Sequence, residues 1–426
     1  MASLQTPTPQ MSALRTALAG LSGNVIEGFD FAVYGYFATS IGRQFFPQSS
    51  PSAQQLLAFG VFALGFFARP VGALVLGQVG DRIGRRALLT LSISLMGGAT
   101  ILMGLLPTYA QIGVAAPVLL LLLRLIQGFS LGGEFTGSMV YTTEGASPLL
   151  RGLVSSSTAA GTTLGFILGS ATAWLVNVWL SPEDASAWGW RIPFLGSAVL
   201  LLAGYALRRG IVETAEGVKA RDLRPKLLPA LVTDWKPMVQ TFGIVAMTNA
   251  AYYLTFTYAV EHRKALAGTG GEDFLLANTL SLLVVLVSKP LGGWLSDKIG
   301  RRKLMLILTI VVMMSIYFAL KAMLFGTWWG FMLGQMALAV PLGMALGLQG
   351  AMLVEIFPLR SRVTSMSLAY SLTLALAGGT TPLVSVWLIE RLGQPLAPAY
   401  YILFYGVIGL AILWSMAETN NRRLDR

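Results

Sequence analysis

The sequence predicts an all-α membrane protein in which twelve transmembrane helices form two pseudo-symmetric six-helix bundles. Three observations predict it. Of 426 residues, 55% are hydrophobic and 12% charged, with a mean hydropathy of +0.68, about half the charge of an ordinary soluble domain. Apolar runs long enough to cross a hydrocarbon core of about 30 Å recur along the chain. One ten-residue loop also occurs twice, 216 residues apart, as Gly77–Arg86 and Gly293–Arg302.

Taken in order, the spans are read at 13–41, 53–79, 86–107, 112–142, 152–179, 188–208, 237–261, 273–296, 302–322, 327–355, 361–389 and 397–417. Met1–Gln10 is polar and proline-containing, so no cleavable signal is read ahead of the first span. The N-terminal bundle is assigned to residues 1–209 and the C-terminal bundle to 237–426. A polar, basic cytoplasmic linker, 210–236, joins them. With both termini cytoplasmic, 21 Lys and Arg lie on that side and six on the other: Arg43, Arg191, Arg263, Lys264, Lys321 and Arg391. That asymmetry sets the orientation. It also accounts for the net charge of +11 without a nucleic-acid partner, since the basic residues flank spans. The 47 glycines suit helices that pack closely. No cysteine is present, which excludes disulfides and thiolate chemistry, and the single histidine, His262, sits at the outer end of span seven. No metal centre and no cofactor are expected.

The doubled loop reads Gly-Gln-Val-Gly-Asp81-Arg82-Ile-Gly84-Arg85-Arg86 and Gly-Trp-Leu-Ser-Asp297-Lys298-Ile-Gly300-Arg301-Arg302. A second pair follows spans four and ten: Glu144 with Arg151, and Glu355 with Arg362, 211 residues apart. A Gly-containing turn lets two spans approach, and an aspartate beside it accepts hydrogen bonds from a helix end or an arginine. Pairs that exist only while one face is closed would bias a two-state equilibrium. Asp81, Arg82, Arg85, Arg86, Glu144, Arg151, Asp297, Arg301, Arg302, Glu355 and Arg362 are therefore the gating candidates. The alternative is that they anchor loops at the lipid surface; duplication at matched positions favours gating.

The doubled D-[RK]-x-G-R-R loop resembles the major facilitator superfamily. Further segments narrow the resemblance: Glu27-Gly-Phe-Asp30-Phe31, Gly65-Phe-Phe-Ala-Arg69-Pro70-Val-Gly72, Arg124-Leu-Ile-Gln127-Gly128, Gly132-Gly133-Glu134, Gly189-Trp190-Arg191-Ile-Pro193-Phe194 and Glu213-Thr214. Together they resemble the metabolite:proton symporters, which include proline/betaine, citrate, α-ketoglutarate and shikimate carriers. Thr248-Asn249-Ala-Ala-Tyr252-Tyr253 and Pro398-Ala-Tyr400-Tyr401 look most like proline/betaine symporters, whereas Gly42–Pro47 is shared with citrate carriers. Two departures stand out. Gly28 and Ser157 occupy positions where the family usually has tryptophan, so an enlarged or reshaped cavity is expected. The chain also ends about ten residues after span twelve, so the coiled-coil extension of osmosensing members, and osmotic activation with it, are not expected.

The charges inside the bilayer fit that implication. Glu27 lies about 18 Å beyond Arg15, near mid-membrane. Asn24, Glu27, Asp30 and Tyr34 share one helical stripe. An ionised acid at that depth costs a few kcal/mol on the most lenient scale, so it should face a cavity or a cation. Arg69 and Arg124 are comparably deep, with Gln127 and Glu134 on the face of Arg124. Three acids against two bases leave one surplus carboxylate in this half, and Glu27, Asp30 and Glu134 are the proton-coupling candidates. Coupled acids titrate as a set, so none is singled out. A fully compensated network that only fixes helix packing is the competing reading. The second half offers Asn249, Tyr252, Tyr253, Gln349 and Tyr370, with Lys289 read nearer the cytoplasmic end. The substrate-binding set is thus Asn24, Tyr34, Arg69, Arg124, Gln127, Asn249, Tyr252, Tyr253, Gln349 and Tyr370, whose aromatic faces suit a quaternary ammonium. The resemblance implies a monomeric, proton-coupled symporter of the bacterial inner membrane, embedded in the lipid bilayer and importing a small carboxylate-bearing metabolite or compatible solute by alternating access. A di- or tricarboxylate symporter and a proton-driven exporter are the alternatives. An enzyme is not expected.

Overall fold

A computed structural model describes residues 13–83, 85–208, 233–267, 271–359, 361–420 and 424; side chains 13–20, 22, 77–89 and 207–208 stand outside the description. Linker residues 210–232 therefore lie outside it too, as do the side chains of four gating candidates, Asp81, Arg82, Arg85 and Arg86.

Everything regular among the described residues is helical. Spans one to three are Ala13–Tyr36, Pro51–Ile83 and Arg85–Leu105. Span four breaks between Ala115–Ser130 and Glu134–Glu144, span five is Arg151–Trp179, and span six is Arg191–Arg208. Span seven runs Trp235–Tyr253, widens into a π turn at Leu254–Tyr258, and resumes as Ala259–Ala267. Spans eight to ten are Glu272–Ile299, Arg301–Phe325 and Trp328–Ile356. Span eleven joins Arg362–Thr373 to Thr381–Leu392 through a π turn at Leu374–Gly378, and span twelve is Ala397–Ser415. Eight helices are long and apolar enough to cross a bilayer among the described residues, and a ninth counts if the 53° bend between Pro182–Gly189 and Arg191–Ala206 lies within one span. This is a multi-pass membrane protein. Spans seven and eleven are interrupted where they carry polar and aromatic side chains inward, and π turns commonly mark such functional points.

Span one lies along span five, span two along span four, and span three along span six; span eight lies along span ten, which also meets span nine, and span seven lies along span twelve. The first six spans meet the last six where span five touches eight and ten, and where span two touches eleven. Glycine makes the tightest of these approaches possible. A Cβ on Gly28 would sit 2.1 Å from the carbonyl oxygen of Thr162 in span five.

Gly300 explains the loop motif in backbone terms. Its φ of +101° belongs to the region that favours glycine, and it turns span eight into span nine. The Glu418 carboxylate accepts the freed N–H groups of Arg301 at 2.8 Å and Arg302 at 3.2 Å. Burial alone would raise the Glu418 pKa, but the N–H groups of Asn420, Arg302, Arg301 and Thr419 outweigh it and hold the acid below its usual value.

Candidate functional site

The centre of the molecule is built from two ion pairs. Glu27 in span one accepts from Arg69 of span two, Nη2 to Oε1 at 2.7 Å. One turn away, Arg124 Nη1 donates to Asp30 Oδ2 at 2.8 Å and to Gln127 Oε1 at 2.7 Å. The other Asp30 oxygen accepts from Gln127 Nε2 at 2.6 Å and Thr100 Oγ1 at 2.8 Å. Rings enclose both cations: Tyr34 lies 4.0 Å from the Arg124 guanidinium, and Phe31 and Phe66 lie 5.8 and 5.7 Å from that of Arg69.

The pairs differ in what they face. Glu27 and Arg69 border a cavity of about 40 Å³ between the two sets of six spans. Its other wall is made by Asn249, Tyr252, Tyr253, Lys289, Gln349 and Tyr370. Glu27 Oε2 and Arg69 Nε make no hydrogen bond to the protein. Asp30, Arg124 and Gln127 lie behind this surface; both Asp30 oxygens are bonded, while Arg124 bonds through Nη1 and its Nε and Nη2 find no partner among the described residues. Asn24 and Tyr34 are also buried away from the cavity, and the Tyr34 hydroxyl donates to the Ala58 carbonyl at 3.0 Å. Of the ten expected substrate contacts, Arg69, Asn249, Tyr252, Tyr253, Gln349 and Tyr370 border the cavity, whereas Asn24, Tyr34, Arg124 and Gln127 do not. Glu134 is buried close enough to Glu27 for the two charges to interact.

Two expectations need correction. Lys289 is not an end-of-span residue: it is 3% exposed and borders the cavity. The buried centre therefore holds Glu27, Asp30 and Glu134 together with Arg69, Arg124 and Lys289 among the described residues. Gly28 and Ser157 do not enlarge the cavity either. The Cβ direction of Gly28 is filled by the span-five backbone, and Ser157 Oγ bonds its own helix at Val154 O, 2.7 Å away. Gly28→Ala is accordingly expected to push spans one and five apart and to destabilise the protein by about 1–3 kcal/mol. Thermal unfolding in detergent checks this, and an unchanged Tm would mean the contact yields freely.

Contacts between the two sets of six spans lie on either side of the cavity. On the face of the repeated loops, Asp297 Oδ1 and Oδ2 accept the N–H groups of Gly152 and Leu153 at 2.9 and 3.0 Å. An aspartate of span eight thereby caps the positive end of span five across the two halves. Arg301 fixes that aspartate at 3.0 Å and bonds Glu355 at 2.6 Å. Arg362 reaches across to Glu144 at 2.5 Å. Arg151 is buried within reach of the charges of Glu355 and Asp297. Arg302 departs from the gating set: it donates to the carbonyls of Leu413 and Trp414 and ties span nine to span twelve. On the opposite face, Glu261 Oε1 accepts the Thr39 N–H at 2.8 Å and Asn278 donates to the Tyr36 hydroxyl at 2.8 Å. Lys264 bonds the Tyr36 carbonyl. None of these opposite-face closures was anticipated, because their residues repeat in no motif.

A helical membrane body with a central charged cavity, flanked on either side by contacts between its halves, defines a secondary transporter. The chain belongs to the major facilitator superfamily, among the metabolite:proton symporters. Residues 16–215 match the family described as "Sugar (and other) transporter", and residues 242–423 match "Major Facilitator Superfamily". A citrate-proton symporter of Klebsiella pneumoniae is 37% identical over 91% of this chain and 88% of its own. A proline/betaine transporter of Salmonella typhimurium is 33% identical over 96% of this chain and 85% of its own. The proton:xylose symporter XylE superposes with a TM-score of 0.78 at 19% identity, covering 97% of this chain and 98% of its own. That last likeness concerns the fold.

Proposed function

We propose that this protein is a proton-coupled symporter that imports a small carboxylate-bearing metabolite by alternating access across a bacterial inner membrane. The Glu27–Arg69 pair on the cavity wall carries the reading. A substrate carboxylate can take Arg69 from Glu27 only if the displaced acid is neutralised, because a second uncompensated anion in this setting is costly. Substrate and proton therefore bind together, and either alone is disfavoured. Asp30, bonded by Arg124, Thr100 and Gln127, pairs spans one and four behind the site.

Residues 1–209 and 237–426 act as two bodies that rock about the cavity, with 210–236 linking them. The Asp297 cap on span five and the Glu144–Arg362 pair break when the face of the repeated loops opens. Glu261, Asn278 and Lys264 release when the other opens. The excess of Lys and Arg beside the repeated loops supports a cytoplasmic position for them and for both termini. Proline or betaine and a citrate-like acid both remain within this reading, since relatives carry each name. Export of a toxic compound has no observation in its favour. The protein works as a monomer with its substrate, protons and lipid as partners.

The test uses purified protein in liposomes with an imposed inside-alkaline gradient. Uptake of labelled citrate, α-ketoglutarate, proline and betaine is followed with and without a protonophore. Accumulation of at least one, abolished by the protonophore, is expected. Entry that ignores the protonophore, or entry of none of the four, overturns the proposal.

A further inference from the structure

Resting on that symport reading, we infer that Lys289 is a second anion-binding point of the cavity, facing Arg69, and that the substrate is a di- or tricarboxylate that bridges the two. Lys289 Nζ donates to the Ala159 carbonyl at 2.6 Å and to the Thr163 hydroxyl, both in span five. These are neutral acceptors, and no carboxylate pairs with this ammonium among the described residues. A buried ammonium left with neutral partners is expensive to keep. The expense is explained if an anion arrives in the working cycle.

Its placement is built, not incidental. Arg69-Pro70-Val-Gly72 in span two and Lys289-Pro290-Leu-Gly292 in span eight are the same four-residue pattern, cation–Pro–x–Gly. The two copies stand 220 residues apart, four more than the repeated loops, a difference of about one helical turn. Both prolines lie inside their helices, where each lacks the N–H for a backbone bond. Both glycines are points of close approach: a Cβ would fall 1.9 Å from the Phe129 carbonyl oxygen in span four, or 2.2 Å from that of Met344 in span ten. Each half thus presents one cation beside a helical proline at a tightly backed point, and the two line the same cavity.

The aromatic wall agrees with an anion. Nζ of Lys289 lies 5.8 Å from the Tyr252 ring centre, so the face that a quaternary ammonium would seek already meets a cation. A solute with carboxylates at two ends satisfies both walls at once. It also draws Lys289 from Ala159 and Thr163, and so loosens a tie between the halves as it binds.

The experiment measures binding by thermal shift, and accumulation in liposomes, for full-length wild type, Lys289→Gln and Lys289→Arg. The probes are glutarate, citrate, butyrate, proline and betaine. Wild type is expected to bind glutarate or citrate at least about tenfold more tightly than butyrate. Lys289→Gln should lose that preference while holding its affinity for butyrate, and Lys289→Arg should keep the preference. A preference that survives in Lys289→Gln overturns the inference. Protonophore-sensitive accumulation of proline or betaine with no binding of the di- and tricarboxylates also overturns it, and leaves the symport reading standing. If Lys289→Gln fails to fold, the wild-type contrast between glutarate and butyrate decides. If no probe binds or accumulates in wild type, both readings fall.

Discussion

Replacing Arg124 with methionine is expected to destabilise the protein by about 3–5 kcal/mol and to abolish transport with it. The magnitude follows from what the change strands. Arg124 and Asp30 are each 1% exposed, and among the described residues the arginine supplies the only positive charge in contact with that carboxylate. Methionine fills most of the volume but leaves Asp30 with the neutral donors Thr100 and Gln127. It also removes the cation that Tyr34, Phe31 and Phe62 surround at 4.0, 5.4 and 5.4 Å. Asp30→Asn in the same background removes the stranded charge, so the double variant should regain most of the lost stability, because replacing a whole buried pair by neutral groups is often close to neutral. Thermal unfolding of the purified single and double variants measures both steps. A single variant that melts with wild type, or a double variant no better than the single, would show that the pair does not hold spans one and four together.

Much of this centre could be read from residue types alone, because the physics leaves few choices. Acids at mid-membrane depth must meet cations, and Glu27, Asp30, Arg69 and Arg124 do pair two by two. The doubled loop declared its aspartate and arginine, and Asp297, Arg301, Glu355, Glu144 and Arg362 occupy a closed face together. What stayed hidden depends on direction and register. A helical stripe places Glu27 and Asp30 side by side, yet only the packing of span two against eleven shows that Glu27 reaches the cavity while Asp30 is sealed behind it. Gly28 signals a missing ring in sequence, whereas the space a ring would need is occupied by the Thr162 backbone. Lys289, read nearer the cytoplasmic end, takes its place on the cavity wall only once span eight is packed against spans five and ten. Thr39 with Glu261, and Tyr36 with Asn278, meet across more than 200 residues, with no local pattern to announce them.

The same distinction between a sealed and an exposed acid fixes the second large effect. Glu27→Gln is expected to bring the accumulation ratio of the substrate to about one while exchange across an equal gradient continues. A pH step of one unit can drive roughly tenfold accumulation per coupled proton at zero potential, so the loss is easily read. Glutamine preserves shape and a hydrogen bond to Arg69, but it neither takes nor gives up a proton. The variant should therefore behave as a permanently protonated carrier, with Arg69 released to the substrate and the proton gradient disconnected from it. Its folding should suffer far less than that of the Arg124 variant, because Arg69 keeps an acceptor and the bordering cavity gives access to water or solute. Counterflow of labelled against unlabelled substrate reports the retained exchange, and an imposed pH gradient reports the lost work. Uphill accumulation by Glu27→Gln would remove Glu27 from the coupling step and leave Glu134 as its neighbour best placed to take the proton. Asp30 would not inherit the role, since neither it nor Arg124 borders the cavity, where a substrate could draw the arginine away.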